Sequence, residues 1–504
     1  MCKKKVIIIG GGIGGLFTGA FLSKGSIEVT IVEKNSTIGG GLQSYKRYGE
    51  IFDTGMHVVG GMHKNGNLYK ICRYLGIIDK INITHVDDDC SEYVYLSSEK
   101  SGYKIAKGKD GFVNSLSGYF PHQRQNIENY VNAMISLTNA FDLFYLRKRR
   151  KTVDMGSNDF FLPADEFIAK YISDEKLRAV LSFQNLLYAG EAGITPAYIH
   201  AIISILYISG VARFVGGTYH FAETLGKLIR NNGGEIITAD AVCQVVVEGN
   251  KVSHCVTESG KLLKGDYYIS AVHPDGFIKL FNNPTVFSKA YRTRIQDMPN
   301  TYSAIILNIK LKPNTVEYFN YTGHYLKSIS DTWSNHSEYW PNICLFMTPP
   351  KENQHKYAST MNIIAPMSWS DVAQWEDTKT GHRGDDYKMW KKKKAAEVIK
   401  CMEDIFCNFA DCIENIDIAT PLTIRDFYGV KYGALYGYKK DCNDMIGSKI
   451  PIQTKLSNLF FTGQNHNLHG FCGVALTAIE TCNMVLGNDK VLEDIIKVNE
   501  EYEA

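Results

Sequence analysis

A chain of 504 residues exceeds one ordinary domain, and 44% hydrophobic with 21% charged residues is a globular composition, not a disordered one. Lys and Arg at 55 against Asp and Glu at 53 leave a net charge of +2, which gives no reason to expect nucleic acid as a partner. Twelve scattered cysteines with no CxxC exclude a zinc ribbon and a dithiol redox motif, and read as reduced thiols of a cytoplasmic protein.

The first segment, MCKKKVIIIGGGIGGLFTGAFL, has the basic start and apolar run of a signal peptide. Five glycines between Gly10 and Gly15 split that run and no cleavage site ends it, so it is expected to stay. Nowhere do 18 apolar residues run uninterrupted, so a soluble chain or one lying on a membrane surface is expected. Residues 6–9 read as a buried strand, 14–24 as a helix and 27–32 as a second strand, a βαβ unit with a short crossover. Residues 86–214 are rich in aromatics and helical periodicity. Residues 217–232 have helical spacing, stopped by Gly233 and Gly234, and strands follow in EIIT, VCQVVVEGNKV and YYISAVHP. Residues 301–450 mix the strands SAIILNIKL and ICLFM with a Lys-rich helix around 387–410. LFFTG at 459–463 is a last strand, with a helix from about 474 to 486. The expected fold is α/β: a discontinuous Rossmann-like nucleotide-binding domain of residues 1–85, 215–300 and 450–504, and an α+β substrate domain of 86–214 and 301–449.

Gly10-x-Gly12-x-x-Gly15 follows a buried strand and opens a helix. That spacing serves a tight turn, close approach of backbone to a pyrophosphate, and close helix–strand packing, with Gly14 in the same turn. Glu33 ends the second strand, where a carboxylate accepts both ribose hydroxyls and disfavours a 2′-phosphate. Glycines 39–41 (Gly40 and Gly41 among them) and Ser44 form a second Gly-rich loop. A nicotinamide has no evident use for that extra cradle, whereas a longer, deeply buried FAD does.

In this order, GxGxxG with Glu33, the second glycine run with Ser44, and FDTGMHVVG at 52–60 resemble the family of phytoene desaturases, carotenoid isomerases and retinol saturases (all-trans-retinol 13,14-reductases), which are FAD flavoproteins. The resemblance continues through GGTYHFAETLGKLIRNNGGEI, ADAVCQVVVEGNKV, ISAVHP and ATPLTIRDFYGVKYGALYG, nearly end to end. It implies that the backbone of Val242 meets adenine. It also implies that Gly463, Gln464, Gly470, Gly473 and Val474 approach the ribityl chain, pyrophosphate and isoalloxazine. Gln464 in place of an acidic residue resembles the saturase branch.

His466, His469 and Cys472 recur every third residue, as a metal-ligand ladder would. Nearby glycines and the lack of a fourth ligand favour a loop over the flavin, so no metal is expected. The activity implied is oxidoreduction at C=C bonds of a polyene or isoprenoid lipid, by saturation or isomerisation, with desaturation as the alternative direction. His57, in FDTG-x-H, and His469 are the candidate proton donors. Glu191 in YAGEAGITP is a weaker candidate. No second GxGxxG lies in a βαβ context, so NAD(P)H would serve only as a transient reductant; the electron donor or acceptor is open. Residues 197–214 form an apolar helix fit to line a polyene tunnel or to sit in a core. AFDLFYLRKRRK at 140–151 joins an apolar-aromatic stretch to five basic residues, a pairing that suits peripheral attachment to the inner face of a membrane. Two rival readings share the scaffold: a flavin amine oxidase, with Tyr432, Tyr436 and Tyr438 as an aromatic cage, and a non-catalytic prenyl-binding escort like the GDP-dissociation inhibitors.

Overall fold

The computed structural model describes residues 4–25, 27–55, 57–150, 158–330, 332–333, 340–466 and 468–503. The apolar run after the N-terminal lysines forms β1 (Lys5–Ile9), followed by α1 (Ile13–Lys24) and β2 (Glu28–Val32). Much later come α2 (Tyr219–Asn231), β3 (Glu235–Ile237) and β4 (Tyr267–Ser270), and near the end β5 (Leu459–Phe461) and α3 (Gly470–Leu486). The five strands make one all-parallel sheet in the order β3-β2-β1-β4-β5.

A parallel sheet covered on both faces needs strands that are apolar at every position, and β1 reads VIII. Val6 and Ile8 point to the side where α1, α2 and α3 pack. Ile7 and Ile9 point the other way, against Val242 and Val245 of a three-stranded antiparallel meander (Val242–Glu248, Lys251–Thr257, Leu262–Leu263). Gly19 lets α1 sit close on the sheet: a Cβ there would lie 2.9 Å from the end of Ile31.

A second, seven-stranded sheet runs in the order Ile413–Ala419, Ser303–Leu311, Thr360–Met367, Ile343–Met347, Thr322–Leu326, Glu92–Leu96, Ser101–Ile105. All its pairings are antiparallel except Thr322–Leu326 with Glu92–Leu96. In Ser303–Leu311 the residues Ile305, Leu307 and Ile309 enter one core together with Val398 and Met402 of the Lys-rich helix Gly384–Met402. Ala304 and Ile306 face the opposite side, into the cavity that the turn after β1 also lines.

Several elements differ from the sequence expectation. The apolar helix expected over 197–214 ends at Ile208, and Val211–Phe214 is a strand beyond the turn at Gly210. EYVYL, inside the stretch read as helical, is a strand whose Val94 and Leu96 are buried while its tyrosines are half-buried; period two, not aromatic content, is the relevant signal there. The C-terminal helix begins at Gly470, four residues before Val474, so that Phe471, Cys472 and Gly473 lie in its first turn. A further helix, Lys490–Glu503, lies against Asn67–Leu75 and was not foreseen.

Candidate functional site: a two-loop glycine cradle and an apolar cavity

The turn after β1 is built on glycine contacts. Gly10 has φ of +105°, and a Cβ on Gly15 would lie 2.0 Å from the Gly10 carbonyl oxygen. The second Gly-rich loop docks directly on the first. Gly39 N–H donates to the Gly11 carbonyl at 2.8 Å, and a Cβ on Gly40 would lie 3.2 Å from the Cα of Gly12. From the far end of the chain Gly463 arrives at the same turn: a Cβ on Gly14 would lie 3.1 Å from its Cα. Three segments that are remote in sequence thus meet backbone to backbone, leaving a groove walled by peptide groups.

Glu33 is 6% exposed and fixed from both sides, with Gly11 N–H donating to Oε2 at 2.7 Å and Asn35 N–H donating to Oε1 at 2.8 Å. Each carboxylate oxygen keeps acceptor capacity for a ribose hydroxyl. Gly12, Gly14, Glu33, Gly40, Gly41 and Val242 line one large cavity of about 440 Å³, and so do Gly463, Gln464, Gly473 and Val474. Gly15 and Ser44 are not in its wall. Gly15 serves the packing of the turn. Ser44 donates to Asp53 at 2.5 Å, and Asp53 also accepts from the Thr218 N–H and hydroxyl at 2.9 and 3.0 Å, so Ser44 ties the FDTG strand to the start of α2. The glycine of FDTG makes room for Tyr428: a Cβ on Gly55 would lie 2.2 Å from that hydroxyl, which donates to Thr54 at 3.2 Å. Met56 of that motif lies outside the described residues.

Beyond the glycine cradle the cavity turns apolar. Its wall there is the cavity-facing row of the seven-stranded sheet (Ala304, Ile306, Leu345, Met347, Ile364) and one flank of the helix Ala197–Ile208 (Ile202, Ile203, Leu206, Tyr207). That helix gives one face to the cavity and buries the other in the core. His200, on its far side, is buried between the hydroxyls of Tyr130 at 2.5 Å and Tyr188 at 2.8 Å. Glu33 is the sole carboxylate among the described lining residues.

Both candidate proton donors face this cavity. His57 has no hydrogen-bond partner at either ring nitrogen, and burial holds it below its ordinary pKa; Asp53 opposes that shift and Arg213 reinforces it. His469 precedes the first turn of α3, packs on Tyr436 at 4.9 Å, and is pushed down to about 3 by burial and by the charge of Lys440. Both are therefore neutral rings at physiological pH. The HxxHxxC triplet diverges: His466 turns away to the Ile450 carbonyl at 3.1 Å, while His469 and Cys472 line the cavity. Among the described residues no cluster of three metal-ligating side chains occurs, and every described cysteine is a free thiol. Glu191 is ion-paired with Lys439 at 2.8 Å outside the cavity.

Sequence reasoning missed several lining residues. Tyr302 presents a buried hydroxyl without a partner, and Tyr207 donates to the Val58 carbonyl at 3.4 Å. His273, in ISAVHP, lines the cavity with Nδ1 unpartnered. Of the three tyrosines weighed as an amine cage only Tyr436 faces the cavity. Tyr432 is 42% exposed, and Tyr438 is buried with its hydroxyl donating to Ile295 O at 2.7 Å. In AFDLFYLRKRRK the side chains of Phe144 and Leu146 are turned into the protein, 5% and 6% exposed, so the stretch does not present an apolar face to a bilayer; Lys151 lies outside the described residues. No helix among the described residues is long and apolar enough to cross a membrane.

A Rossmann-like parallel sheet, a glycine cradle, a buried carboxylate at its edge and an apolar chamber define an oxidoreductase of the flavin-oxidase fold class. A family model described as an NAD(P)-binding Rossmann-like domain matches residues 8–75. A cofactor-site triple mutant of putrescine oxidase has the same fold, with a TM-score of 0.64 at 12% identity over 96% of this chain and 99% of that one. The all-trans-retinol 13,14-reductase of Danio rerio is 22% identical over 96% of this chain and 86% of its own length. Prolycopene isomerase 2 of an Oncidium hybrid cultivar is 23% identical over 84% and 73%. The chain is similar to these reductases and isomerases over most of its length, as its motifs led one to expect.

Proposed function

We propose that this chain is an FAD-dependent oxidoreductase acting on C=C bonds of an apolar polyene or isoprenoid lipid, by saturation or isomerisation. The observation that carries this reading is the cavity itself: a backbone cradle with Glu33 at the nucleotide end opens into a chamber with no other carboxylate among its described lining residues. A cationic amine would find no counter-charge in that chamber, which sets the polyene reading above an amine oxidase. Residues 1–85, 215–300 and 450–504 are assigned to FAD binding, and 86–214 and 301–449 to the substrate.

The glycine contacts fit the group. Gly10, Gly12 and Gly14 leave room for a pyrophosphate, Gly15 packs the turn that presents them, and Glu33 takes the ribose hydroxyls. Gly40, Gly41, Val242, Gly463, Gln464, Gly473 and Val474 supply the remaining contacts, with Ser44 supporting them through Asp53. FAD, when bound, supplies a hydride acceptor or donor, with NAD(P)H as a transient reductant. The chain's own contribution is orientation and exclusion of water by the sheet row and the helix flank. Burial holds His57 and His469 neutral, so either direction, accepting a proton from carbon or delivering one to it, must form a charged ring that burial disfavours.

The test is anaerobic absorbance of the purified protein in detergent, with dithionite and then all-trans-retinol or a carotenoid. Reoxidation of flavin bands with a blue shift of the polyene would establish saturation. Cis-to-trans conversion without net flavin oxidation would establish isomerisation. A colourless protein that takes up no FAD would sink the reading.

A further inference from the structure

The apolar wall of the chamber continues sideways into a buried charge cluster. Across the seven-stranded sheet Ile306 pairs with Ile364, Ile364 with Leu345 and Leu345 with His324, so the row that lines the chamber runs on to an imidazole. Thr322, two residues earlier on that strand, pairs with Glu92. His324 Nε2 and Glu92 Oε2 are 2.7 Å apart, and the two side chains are 1% and 4% exposed. The pair is open at both ends: among the described residues His324 Nδ1 and Glu92 Oε1 have no hydrogen-bond partner. Burial pushes the Glu92 carboxyl up, while His324 and Arg213 draw it down.

Arg213 is the third member of the cluster. It is buried and donates to the carbonyls of Thr348 and Tyr321. Its strand, Val211–Phe214, runs antiparallel to Val59–Gly60 with Ala212 opposite Val59, which brings it alongside the segment that carries His57. The guanidinium charge acts on both Glu92 and His57. The other titratable groups about it are Tyr318, Asp87 and Tyr321, and the other charged group acting on His57 is Asp53. Tyr207 stands beside both ends of this arrangement. Its hydroxyl lines the chamber and makes only a long bond, 3.4 Å, to the carbonyl of Val58, the residue after His57. Burial raises that phenol, and the nearby Tyr436, Glu92 and Cys472 add to the rise.

We propose that Glu92 and His324 form a proton store for the chamber, exchanging one proton with His57 by way of the Tyr207 hydroxyl. The inference rests on the polyene reading above and goes beyond it, assigning where the proton comes from. A chamber that excludes water must carry its own proton for a step that adds a hydride to one alkene carbon and a proton to its neighbour. Tyr207 passes its hydroxyl proton to His57 and accepts the pair's proton in its place, and His57 then gives its proton to carbon. The transfer leaves Glu92 as a carboxylate near Arg213 and His57 as an imidazolium near Asp53. A charge thus moves between two matched pairs, and none is added to the interior, which removes the penalty that burial sets on a charged His57. The pair regains its proton from solvent when the product leaves. When a proton is removed from carbon, the same relay runs in reverse.

FAD-loaded protein is reduced with dithionite under anaerobic conditions and mixed with all-trans-retinol in detergent at a series of pH values across neutrality. The reaction is followed by flavin reoxidation, or by polyene absorbance where the bonds only isomerise. The wild type draws on its own store, so its rate should change little with pH. In Glu92→Gln the proton must reach His57 from solution. The rate should be lower by about tenfold or more, and should fall by about tenfold per further pH unit as pH rises. The retinol concentration that half-saturates the rate should not move. Glu92→Asp should restore part of the rate and the flat profile. Tyr207→Phe, which removes one oxygen, should reproduce the Glu92→Gln profile, and it decides the matter if Glu92→Gln does not fold. A wild-type rate and pH profile in either variant would overturn the store alone. No response of the wild-type protein to any polyene would remove the polyene reading and the store with it.

Discussion

Gly15 and Gly14 sit side by side in the nucleotide turn but answer to different neighbours. The first faces a carbonyl of its own strand end, the second the backbone of Gly463 more than four hundred residues away. Gly15→Ala has no room to relax and should yield insoluble protein. Gly14→Ala needs only a small retreat of Gly463; the protein should fold and bind FAD about tenfold more weakly, seen in the flavin-to-protein absorbance ratio after gel filtration. Glu33→Gln keeps the shape and loses the charged acceptor of two N–H groups, costing roughly 1.5–3 kcal/mol of local hydrogen bonding. It should weaken FAD retention while far-UV circular dichroism stays constant. The close packing of the glycines in the first turn was legible because a tight strand-to-helix turn imposes their spacing locally. The reason for Gly55 was not: it lies in the ring of Tyr428, and no local pattern announces a contact between such distant residues.

At the scale of elements, the strand Ser303–Leu311 divides its side chains between a core and a chamber. Leu307, fully buried in the core with Val398 and Met402, should cost about 2–5 kcal/mol as Leu307→Ala, read from the denaturation midpoint, with the chamber's shape preserved. Ile306 faces the chamber. Ile306→Trp should cost about 1–3 kcal/mol in the midpoint and reduce polyene uptake severalfold, read by the blue shift of bound polyene absorption. Sequence periodicity predicted this strand but not which face meets substrate, since SAIILNIKL is apolar on both sides. The EYVYL hairpin was hidden for a related reason: tyrosines on the half-exposed side blurred the alternation that Val94 and Leu96 carry.

For the whole molecule, burial of neutral histidines sets the response to acid. His200, His466 and His469 are held down to about 3, and His273 to about 4, each chiefly by burial. Their folded values lie below the unfolded one of about 6.5. The unfolded chain therefore binds more protons in that window, and the stability present above about pH 6.5 is lost as pH falls toward 4. Each such ring contributes a slope on the order of 1.4 kcal/mol per pH unit. Urea midpoints should fall steeply below about pH 6.5, and His466→Phe, which keeps the stacking on Phe461, should flatten the slope by about one ring's share. A midpoint independent of pH across that range would contradict the burial argument. The α/β class and the apolar strands of the parallel sheet were visible in sequence because parallel strands buried on both faces are unbroken apolar runs. Which histidines end up sealed was not visible, since that depends on how two sheets close on each other.

The central sheet pairs β4 with β5, and α1 touches the strand end after β5 through the Thr18 and Thr462 hydroxyls at 3.1 Å. A ribosome making this chain releases β1, α1 and β2 long before β5. Until residue 461 has emerged, β4 offers an unpaired apolar edge and the turn after β1 lacks Gly463. Through the synthesis of the segment between β4 and β5 that edge must be shielded, and the cradle is complete only after β5 has emerged. Chains cut short before residue 459 should accumulate with chaperones as cofactor-free species, not as half-active enzyme.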